Sequence, residues 1–231
     1  SAASGRQQKL YTASALKLKE ALAGGAWSGN GKLEVLSQLM RLRQICCDPA
    51  LCFEDYTGES AKLETCVSLI ASASAAGHKI LLFSQFASML ERIRERLLQE
   101  GISSHLLVGA TPKEERSRMV QAFASDEVPV FLISLKAGGT GLNLTAADIV
   151  IHYDPWWNVA AQNQATDRAY RIGQEKPVTV YKLILKDTIE ENLLKLQNAK
   201  LALAAQVVSE GMVSLGDLSQ NELMELFEQN P

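Results

Sequence analysis

The feature that most constrains the fold is an alternation of short apolar runs with amphipathic segments, which begins after Gly77. The segments between the first runs, such as FASMLERIRERLLQE, carry apolar residues at helical spacing. Near-continuous apolar strands that alternate with helices are typical of a parallel sheet covered on both faces and built from right-handed crossovers. We therefore predict an α/β core over residues 77–187. Its strands are KILLFS (79–84), SHLLV (104–108), PVFLIS (129–134), DIVIHY (148–153) and VTVYKLIL (178–185).

Helical segments are predicted on both sides of this core. Leucines at three- and four-residue spacing indicate two helices within residues 10–48, joined by a glycine-rich stretch, and a third helix over residues 60–76. We therefore expect helical extensions at residues 1–76 and 188–231. The second extension ends in a short acidic helix whose apolar stripe can pack on the core, formed by Leu223, Leu226 and Phe227.

The charge of the chain is unevenly distributed. The formal net charge is −3, yet residues 1–200 carry all 23 Lys and Arg with 21 of the 26 acids, a net charge of +2. Residues 201–231 hold five acids and no base, so this segment is an acidic tail. Binding of nucleic acid depends on the local field where the phosphates lie, so the acidic average does not exclude it.

Composition and cysteine spacing exclude several classes of protein. With 47% hydrophobic and 21% charged residues, the chain suits a globular domain and not a disordered polyelectrolyte. No apolar run reaches the roughly 18 residues of a membrane span, and the first residues lack the apolar core of a signal peptide. We therefore expect an intracellular protein with no membrane partner. The cysteines have poor spacing for zinc, which predicts reduced thiols at Cys46, Cys47, Cys52 and Cys66.

A glycine-rich segment follows the third predicted strand. SLKAGGTGLNL (134–144) places Gly138, Gly139 and Gly141 where backbone amides can approach a phosphate or sugar closely. The segment lacks the GxxxxGK(S/T) pattern of NTPase phosphate loops, and Leu144 replaces the third glycine of a dinucleotide-binding GxGxxG. From these residues alone, a tight turn between strand and helix is an equally good interpretation.

The segment after the fourth strand carries an amide and two guanidinium groups. Gln164, Arg168 and Arg171 fall at i, i+4 and i+7, so on a helix they occupy one face within roughly 60°. Guanidiniums stay charged at cellular pH, so this face must meet solvent, a carboxylate such as that of Asp167, or a polyphosphate. Because this face and the glycine-rich segment end successive strands, together they are suited to hold a triphosphate. The chain has no phosphate loop and no acidic motif for the accompanying magnesium ion.

Three segments, SLKAGGTGLNL, DPWWN and QATDRAYRIGQ, resemble helicase motifs V, Va and VI of the SWI/SNF-type ATPases, a branch of the superfamily-two DNA translocases. KILLFSQF resembles motif IV of the same family, and the similarity extends over residues 33–227. The resemblance implies a RecA-like parallel sheet with helices on both faces. It identifies the chain as the second, C-terminal lobe of such a motor, similar to bacterial members.

In that family the first lobe holds the phosphate loop and the magnesium-binding acids, and the second lobe supplies arginine fingers. The resemblance implies that Arg168 and Arg171 are these fingers, that Gln164 orders the same site, and that Gly139 and Gly141 approach the nucleotide. A finger neutralises charge on the transferred phosphoryl group and is worth about 10³ to 10⁵ in rate. ATP and Mg²⁺ are therefore expected only in the complete two-lobe enzyme. We expect this chain alone to bind neither and to be inactive.

The resemblance also assigns contacts to the DNA backbone. Hydroxyl, amide and basic side chains suit phosphate oxygens and allow tracking without reading of the bases. The implied DNA-binding residues are Ser84, Gln85, Thr111, Arg116, Lys136, Thr140 and Trp157. Trp156, by contrast, is expected in the core. The sequence departs from the family pattern nearby, since Lys136 replaces the usual arginine, Leu135 a common threonine and Tyr170 a frequent histidine.

We interpret the chain as the C-terminal motor lobe of an ATP-dependent double-stranded DNA translocase or remodeller. The expected partners are the N-terminal RecA-like lobe of the same protein, double-stranded DNA, and a DNA-bound protein such as RNA polymerase. The expected location is the nucleoid of the bacterial cytoplasm, or the nucleus of a eukaryote. Two alternatives stay open: a non-catalytic interaction module on the same fold, and a Rossmann-type nucleotide-dependent enzyme that uses the glycine-rich segment and Asp154. A dinucleotide loop should follow the first strand of a sheet, which argues against the second alternative.

Overall fold

The computed structural model describes residues 1–24, 31–135, 137, 144–156, 159–167 and 177–204. These residues form seven α-helices, one short 3₁₀ turn and five strands. In chain order they are α1 (Gly5–Ala23), α2 (Gly31–Cys47), the turn Pro49–Leu51, α3 (Ala61–Ala75), β1 (Ile80–Ser84), α4 (Ala87–Gln99), β2 (Ser104–Leu107), α5 (Lys113–Ser125), β3 (Val130–Ser134), β4 (Ile149–His152), α6 (Val159–Thr166), β5 (Thr179–Lys182) and α7 (Ile189–Ala204). The predicted alternation of strands and helices is confirmed.

The described strands form one parallel sheet in the order β2-β3-β1-β4-β5. β1 lies in the middle and pairs with β3 from Ile80↔Val130 and with β4 from Ile80↔Ile149. Every residue of β1, β3 and β4 is buried. Because successive side chains point to opposite faces of a strand, complete burial requires that both faces of the sheet be covered. The predicted parallel α/β sheet is therefore confirmed.

Strand β5 is shorter than the apolar run VTVYKLIL that predicted it. It spans Thr179–Lys182 and is largely exposed, since it forms an edge of the sheet and pairs only with β4. β4 is itself four residues long, so regular pairing ends where β4 ends. Apolar character alone therefore overestimates the length of this edge strand.

Two glycines with positive φ angles separate helices from the strands that follow. Gly77, at φ 80°, lies between α3 and β1, and Gly101, at φ 72°, lies between α4 and β2. A residue with a Cβ atom is strained in this left-handed region, whereas glycine adopts it readily. Gly101 also marks the end of a helix, because α4 ends two residues before it.

Contacts between Cα atoms group the chain into two compact units. The first unit lies within residues 1–62, 157–159 and 184–231, and the second within residues 63–156 and 160–183, which include the sheet. The predicted division at 76/77 and 187/188 assigned all of α3 to the N-terminal extension. By contacts, most of α3 groups with the sheet, whereas the described residues within 1–62 and 184–204 group together in the first unit.

The interior of the first unit contains a buried ion pair. Lys62 Nζ lies 2.6 Å from Glu190 Oε1 and also donates to Oε2, with the side chains 0% and 1% exposed. Glu190 Oε2 further accepts from the backbone N–H of Leu185 at 2.9 Å. Burial by itself lowers the pKa of Lys62, but the charge and hydrogen bond of Glu190, together with Cys46 and Cys47, outweigh burial, and the net pKa is raised. Lys62 is therefore charged at neutral pH, and its ion pair with Glu190 joins the first turn of α3 to the first turn of α7.

The four cysteines carry free thiols in this structure. Cys46, Cys47 and Cys66 are buried and Cys52 is half-buried, as reduced cysteines commonly are. Within the described ranges no three His, Cys, Asp or Glu side chains gather in a way that could hold a metal ion. None of the helices that the structure describes is long and apolar enough to cross a membrane.

Candidate functional site

The carboxyl ends of the strands bring the predicted site residues to one edge of the sheet. All described strands run parallel, so the segments that follow them leave from the same edge. β1 leads into Gln85, β3 leads into the glycine-rich segment, and β4 leads into Asp154. Because β1 lies between β3 and β4, these three exits are neighbours, and Ser84 and Ser134 face each other in register.

Asp154 joins the ends of β1 and β4. Its side chain is 1% exposed, Oδ1 accepts from Ser84 Oγ at 2.5 Å, and Oδ2 accepts from Gln85 Nε2 at 2.6 Å. The backbone N–H of Gln85 also points at this carboxylate, 3.3 Å from Oδ1. The sequence interpretation used Asp154 only in the Rossmann-type alternative. The signal that could have found it is an acidic residue directly after a buried strand.

Ser84 is completely buried, which changes its expected role. Besides donating to Asp154, its hydroxyl accepts from the backbone N–H of Phe86 at 3.1 Å. In this structure Ser84 therefore offers no surface to a DNA phosphate, because its hydroxyl is buried and donates a hydrogen bond to the carboxylate of Asp154. Gln85 is half-buried and retains surface at the edge.

Thr111 and Arg116 lie on the neighbouring exit from β2. Arg116 donates from Nη1 to the carbonyl of Ala137 at 3.0 Å and from Nη2 to the carbonyl of Thr111 at 3.3 Å. The hydroxyl of Thr111 accepts from the backbone N–H of Val108 at 3.1 Å. Both side chains are half-buried. Arg116 thus links the loop between β2 and α5 to the segment after β3, where the predicted Lys136 contact lies.

Helix α6 is held to the end of β4 by polar contacts. Gln162 is buried and its Oε1 accepts from the backbone N–H of Trp156 at 3.1 Å. Thr166 Oγ1 lies 2.8 Å from His152 Nε2 and donates to the carbonyl of Gln162 at 3.3 Å. Gln164, in contrast, is exposed. Trp156 packs against the hydrophobic core, as expected.

His152 lies inside the sheet and is neutral. Its ring is 1% exposed and stacks on Phe83, with the ring centroids 5.7 Å apart. Burial and, to a smaller extent, the positive charge of Lys182 on β5 together lower the pKa of His152 to about 4. The imidazole therefore acts as a hydrogen-bonding group and not as a cation at cellular pH.

Several of the predicted site residues lie outside the described residues. They are Lys136, Gly139, Thr140, Gly141, Trp157, Arg168 and Arg171. Their roles stay predictions. The described residues bring together Gln85, Thr111, Arg116 and the helix that carries Gln164, all at the carboxyl edge of the sheet.

The glycine-rich segment follows β3 and not β1. In a Rossmann-type enzyme the dinucleotide loop follows the first strand, so this position argues against that alternative. The described residues also offer no cluster of carboxylates for a magnesium ion.

Comparison with known proteins gives the same family from sequence and from structure. Residues 61–173 match the helicase conserved C-terminal domain. Over 205 residues, 85% of this chain, the sequence is 44% identical to the putative ATP-dependent helicase/translocase YwqA of Bacillus subtilis. That alignment spans 22% of YwqA, and the chain covers about a fifth of the length of the curated relatives it matches.

Two solved structures from Sulfolobus solfataricus superpose on nearly the whole chain. The SWI2/SNF2 ATPase core in complex with dsDNA has a TM-score of 0.80 and 32% identity, and covers 98% of this chain and 48% of that one. The SWI2/SNF2 ATPase C-terminal domain has a TM-score of 0.77 and 31% identity, and covers 98% of this chain and 94% of that one. Because the likeness spans almost all of both chains, this protein belongs to the SWI2/SNF2 family of helicase-like ATPases, of which it represents the RecA-like C-terminal lobe.

Proposed function

We propose that this chain is the C-terminal motor lobe of an ATP-dependent double-stranded DNA translocase or remodeller, incomplete without its first lobe. The observation that carries the proposal is the carboxyl edge of the sheet, where Gln85 follows β1, Arg116 follows β2 and helix α6 follows β4. In open parallel sheets this edge is where ligands bind. The Sulfolobus relative that covers the chain is itself a SWI2/SNF2 core in complex with dsDNA, which supports the same assignment.

Arg168 and Arg171 are proposed as arginine fingers and Gln164 as the residue that orders them. Their spacing would place all three on one face if they shared a helix, and Gln164, which lies on α6, is exposed. A guanidinium stays charged and offers paired donors, so it stabilises charge that develops on the transferred phosphoryl group. Gly139 and Gly141 are proposed to approach the same nucleotide. ATP and its Mg²⁺ would be held mainly by the first lobe.

The proposed DNA contacts are Gln85, Thr111, Arg116, Lys136, Thr140 and Trp157, directed at the phosphate backbone. Ser84 is proposed to have a structural role instead, since its buried hydroxyl donates to Asp154 and holds the end of β1. Backbone contacts of this kind position a protein on the duplex without reading sequence. A DNA-bound protein such as RNA polymerase is proposed as the object that the motor displaces. The nucleoid is its proposed location in a bacterium, and the nucleus in a eukaryote.

The test uses the full-length protein that carries this chain. R168A and R171A should each reduce the DNA-stimulated rate of ATP hydrolysis about 10³-fold or more, as removal of an arginine finger does. Affinity for duplex DNA should change little, since the fingers touch the nucleotide. R94A is the matched control, because Arg94 is an exposed arginine on α4 away from the carboxyl edge. Retention of DNA-stimulated turnover in both finger variants would exclude the assigned role.

A further inference from the structure

Helix α6 is attached to the sheet through two residues one helical turn apart. Gln162 holds the backbone of Trp156, and Thr166, the last residue of the helix, contacts His152 on β4. Residues at i and i+4 share a helix face, so both contacts lie on the same side of α6. Gln164 falls on the opposite side, about 200° from Gln162, and its side chain is exposed. The buried contacts therefore hold α6 by the face that lies away from the proposed nucleotide-facing side.

The proton in the contact between His152 and Thr166 can be assigned. The hydroxyl of Thr166 donates its single proton to the carbonyl of Gln162, so Oγ1 accepts from the Nε2–H of His152. The other ring nitrogen, Nδ1, is then a buried acceptor, and it has no hydrogen-bond partner in the described part of the chain. An unpaired buried polar atom destabilises a fold. Within the described residues, the contact with Thr166 is therefore the one hydrogen bond that holds the His152 ring.

We propose that His152 is a positioning residue for the arginine fingers. By holding Thr166, it fixes the last turn of α6 against β4 and determines where the chain leaves the helix toward Arg168, two residues farther on. Reacting groups must be placed closely, since a displacement of about 1 Å can cost roughly 10²-fold in rate. This inference rests on the proposed function, because His152 acts only through the fingers.

The experiment compares Thr166 variants in the full-length protein. T166V keeps the shape of the side chain but removes the hydroxyl, so the kcat of ATP hydrolysis should fall about ten- to a hundredfold with little change in KM. T166S keeps the hydroxyl and should restore most of kcat. T65V is the control for the same chemical change, since Thr65 lies exposed on α3, in a different element from Thr166.

A double variant separates positioning from stability. In H152F/T166V no polar atom of this pair is left unpaired, so thermal stability of the full-length protein should recover toward that of the wild type. The hydrogen bond between positions 152 and 166 is still missing in this variant, so kcat should stay low. If kcat instead recovers in step with the melting temperature, His152 has only a structural role and the inference is overturned.

R168A and R171A, measured alongside, keep this inference distinct from the proposed function. If the arginine variants lose turnover while T166V keeps it, the positioning role of His152 is overturned, whereas the assignment of the arginine fingers is supported. If the arginine variants keep turnover, the finger assignment fails, and any loss in T166V then has another cause. Loss of kcat in all three variants, with rescue by T166S, supports both.

Discussion

At the scale of single residues, the carboxyl edge depends on a buried carboxylate that binds two neighbouring side chains. Asp154 accepts hydrogen bonds from Ser84 and Gln85, and so connects the ends of β1 and β4. Hydrogen bonds to a charged acceptor are stronger than neutral ones and define direction closely. Gln85 is therefore presented in one orientation, which lowers the entropy it loses when a ligand binds.

The first prediction concerns this carboxylate. D154A leaves the buried hydroxyl of Ser84 without its acceptor, so the free energy of unfolding should decrease by about 1–3 kcal/mol. Gln85 should lose its orientation, and the affinity of the full-length protein for duplex DNA should fall. Urea unfolding of this chain and DNA titration of the full-length protein measure the two effects. S84A/D154A should regain stability but not DNA affinity, and equal recovery of both would contradict the proposed presentation of Gln85.

A second prediction follows from the pKa of His152, which burial, with the charge of Lys182, lowers from 6.5 to about 4. Between these two values the unfolded chain binds more protons at this site than the folded chain. Stability is therefore lost as pH falls from about 6.5 to about 4, and the full loss is about 3 kcal/mol.

H152F should lack this part of the pH dependence. Between pH 7 and pH 4.5, the stability of H152F relative to the wild type should improve by about 2–3 kcal/mol. Urea unfolding at both pH values measures the difference, and carboxylates that titrate in both proteins cancel. Parallel pH profiles for the two proteins would show that His152 is not the group that titrates.

At the scale of elements, the ends of two helices are joined by buried charges. Lys62 is the second residue of α3 and Glu190 the second residue of α7, and the two form an ion pair with almost no exposure. A carboxylate near the first turn of α7 is also favoured by the helix dipole. These residues are far apart in sequence, and nothing in the local pattern predicts that they meet.

The third prediction concerns this pair. K62M leaves Glu190 charged, buried and without its partner, so unfolding free energy should decrease by about 3–5 kcal/mol. K62M/E190L removes both charges and should recover most of that loss, less about 1 kcal/mol for the hydrogen bond from Leu185 to Glu190. Urea unfolding of the wild type and the two variants gives the comparison. A double variant as unstable as K62M would show that the destabilisation does not come from an unpaired charge.

At the scale of the whole molecule, the sheet and its edge supply half of the proposed nucleotide site. The described residues contain no carboxylate cluster for a metal ion, and the chain has no GxxxxGK(S/T) sequence. The chain covers only about a fifth of the length of the relatives that it matches. The proposed motor therefore needs a first lobe, which the full-length protein is proposed to provide.

The fourth prediction belongs to this scale. The isolated chain should hydrolyse ATP no faster than a buffer control, with or without duplex DNA. Addition of the first lobe of the same protein should produce DNA-stimulated turnover, because the phosphate loop and the fingers then meet across one nucleotide. A phosphate-release assay on the chain, on the first lobe and on their mixture makes the comparison. Turnover by the chain alone at the rate of the mixture would rule out a shared site.

The elements and their order could be predicted from local sequence patterns. Apolar runs of strand length, helical periodicity and the two turn glycines Gly77 and Gly101 are local signals, and the structure has strands and helices where they predict them. The parallel arrangement also followed, because strands separated by helices can pair only through crossovers. The motif segments carried the family resemblance, which the comparisons confirm.

Which polar side chains meet depends on the three-dimensional fold and could not be predicted. Ser84 and Asp154 are 70 residues apart in sequence, and the resemblance assigned Ser84 to DNA, although its side chain is buried and donates to Asp154. The sequence pattern also did not predict the contact of His152 with Thr166 or that of Lys62 with Glu190. Periodicity reports which face of an element is buried, whereas hydrogen-bond partners depend on the distances between elements, which folding alone sets.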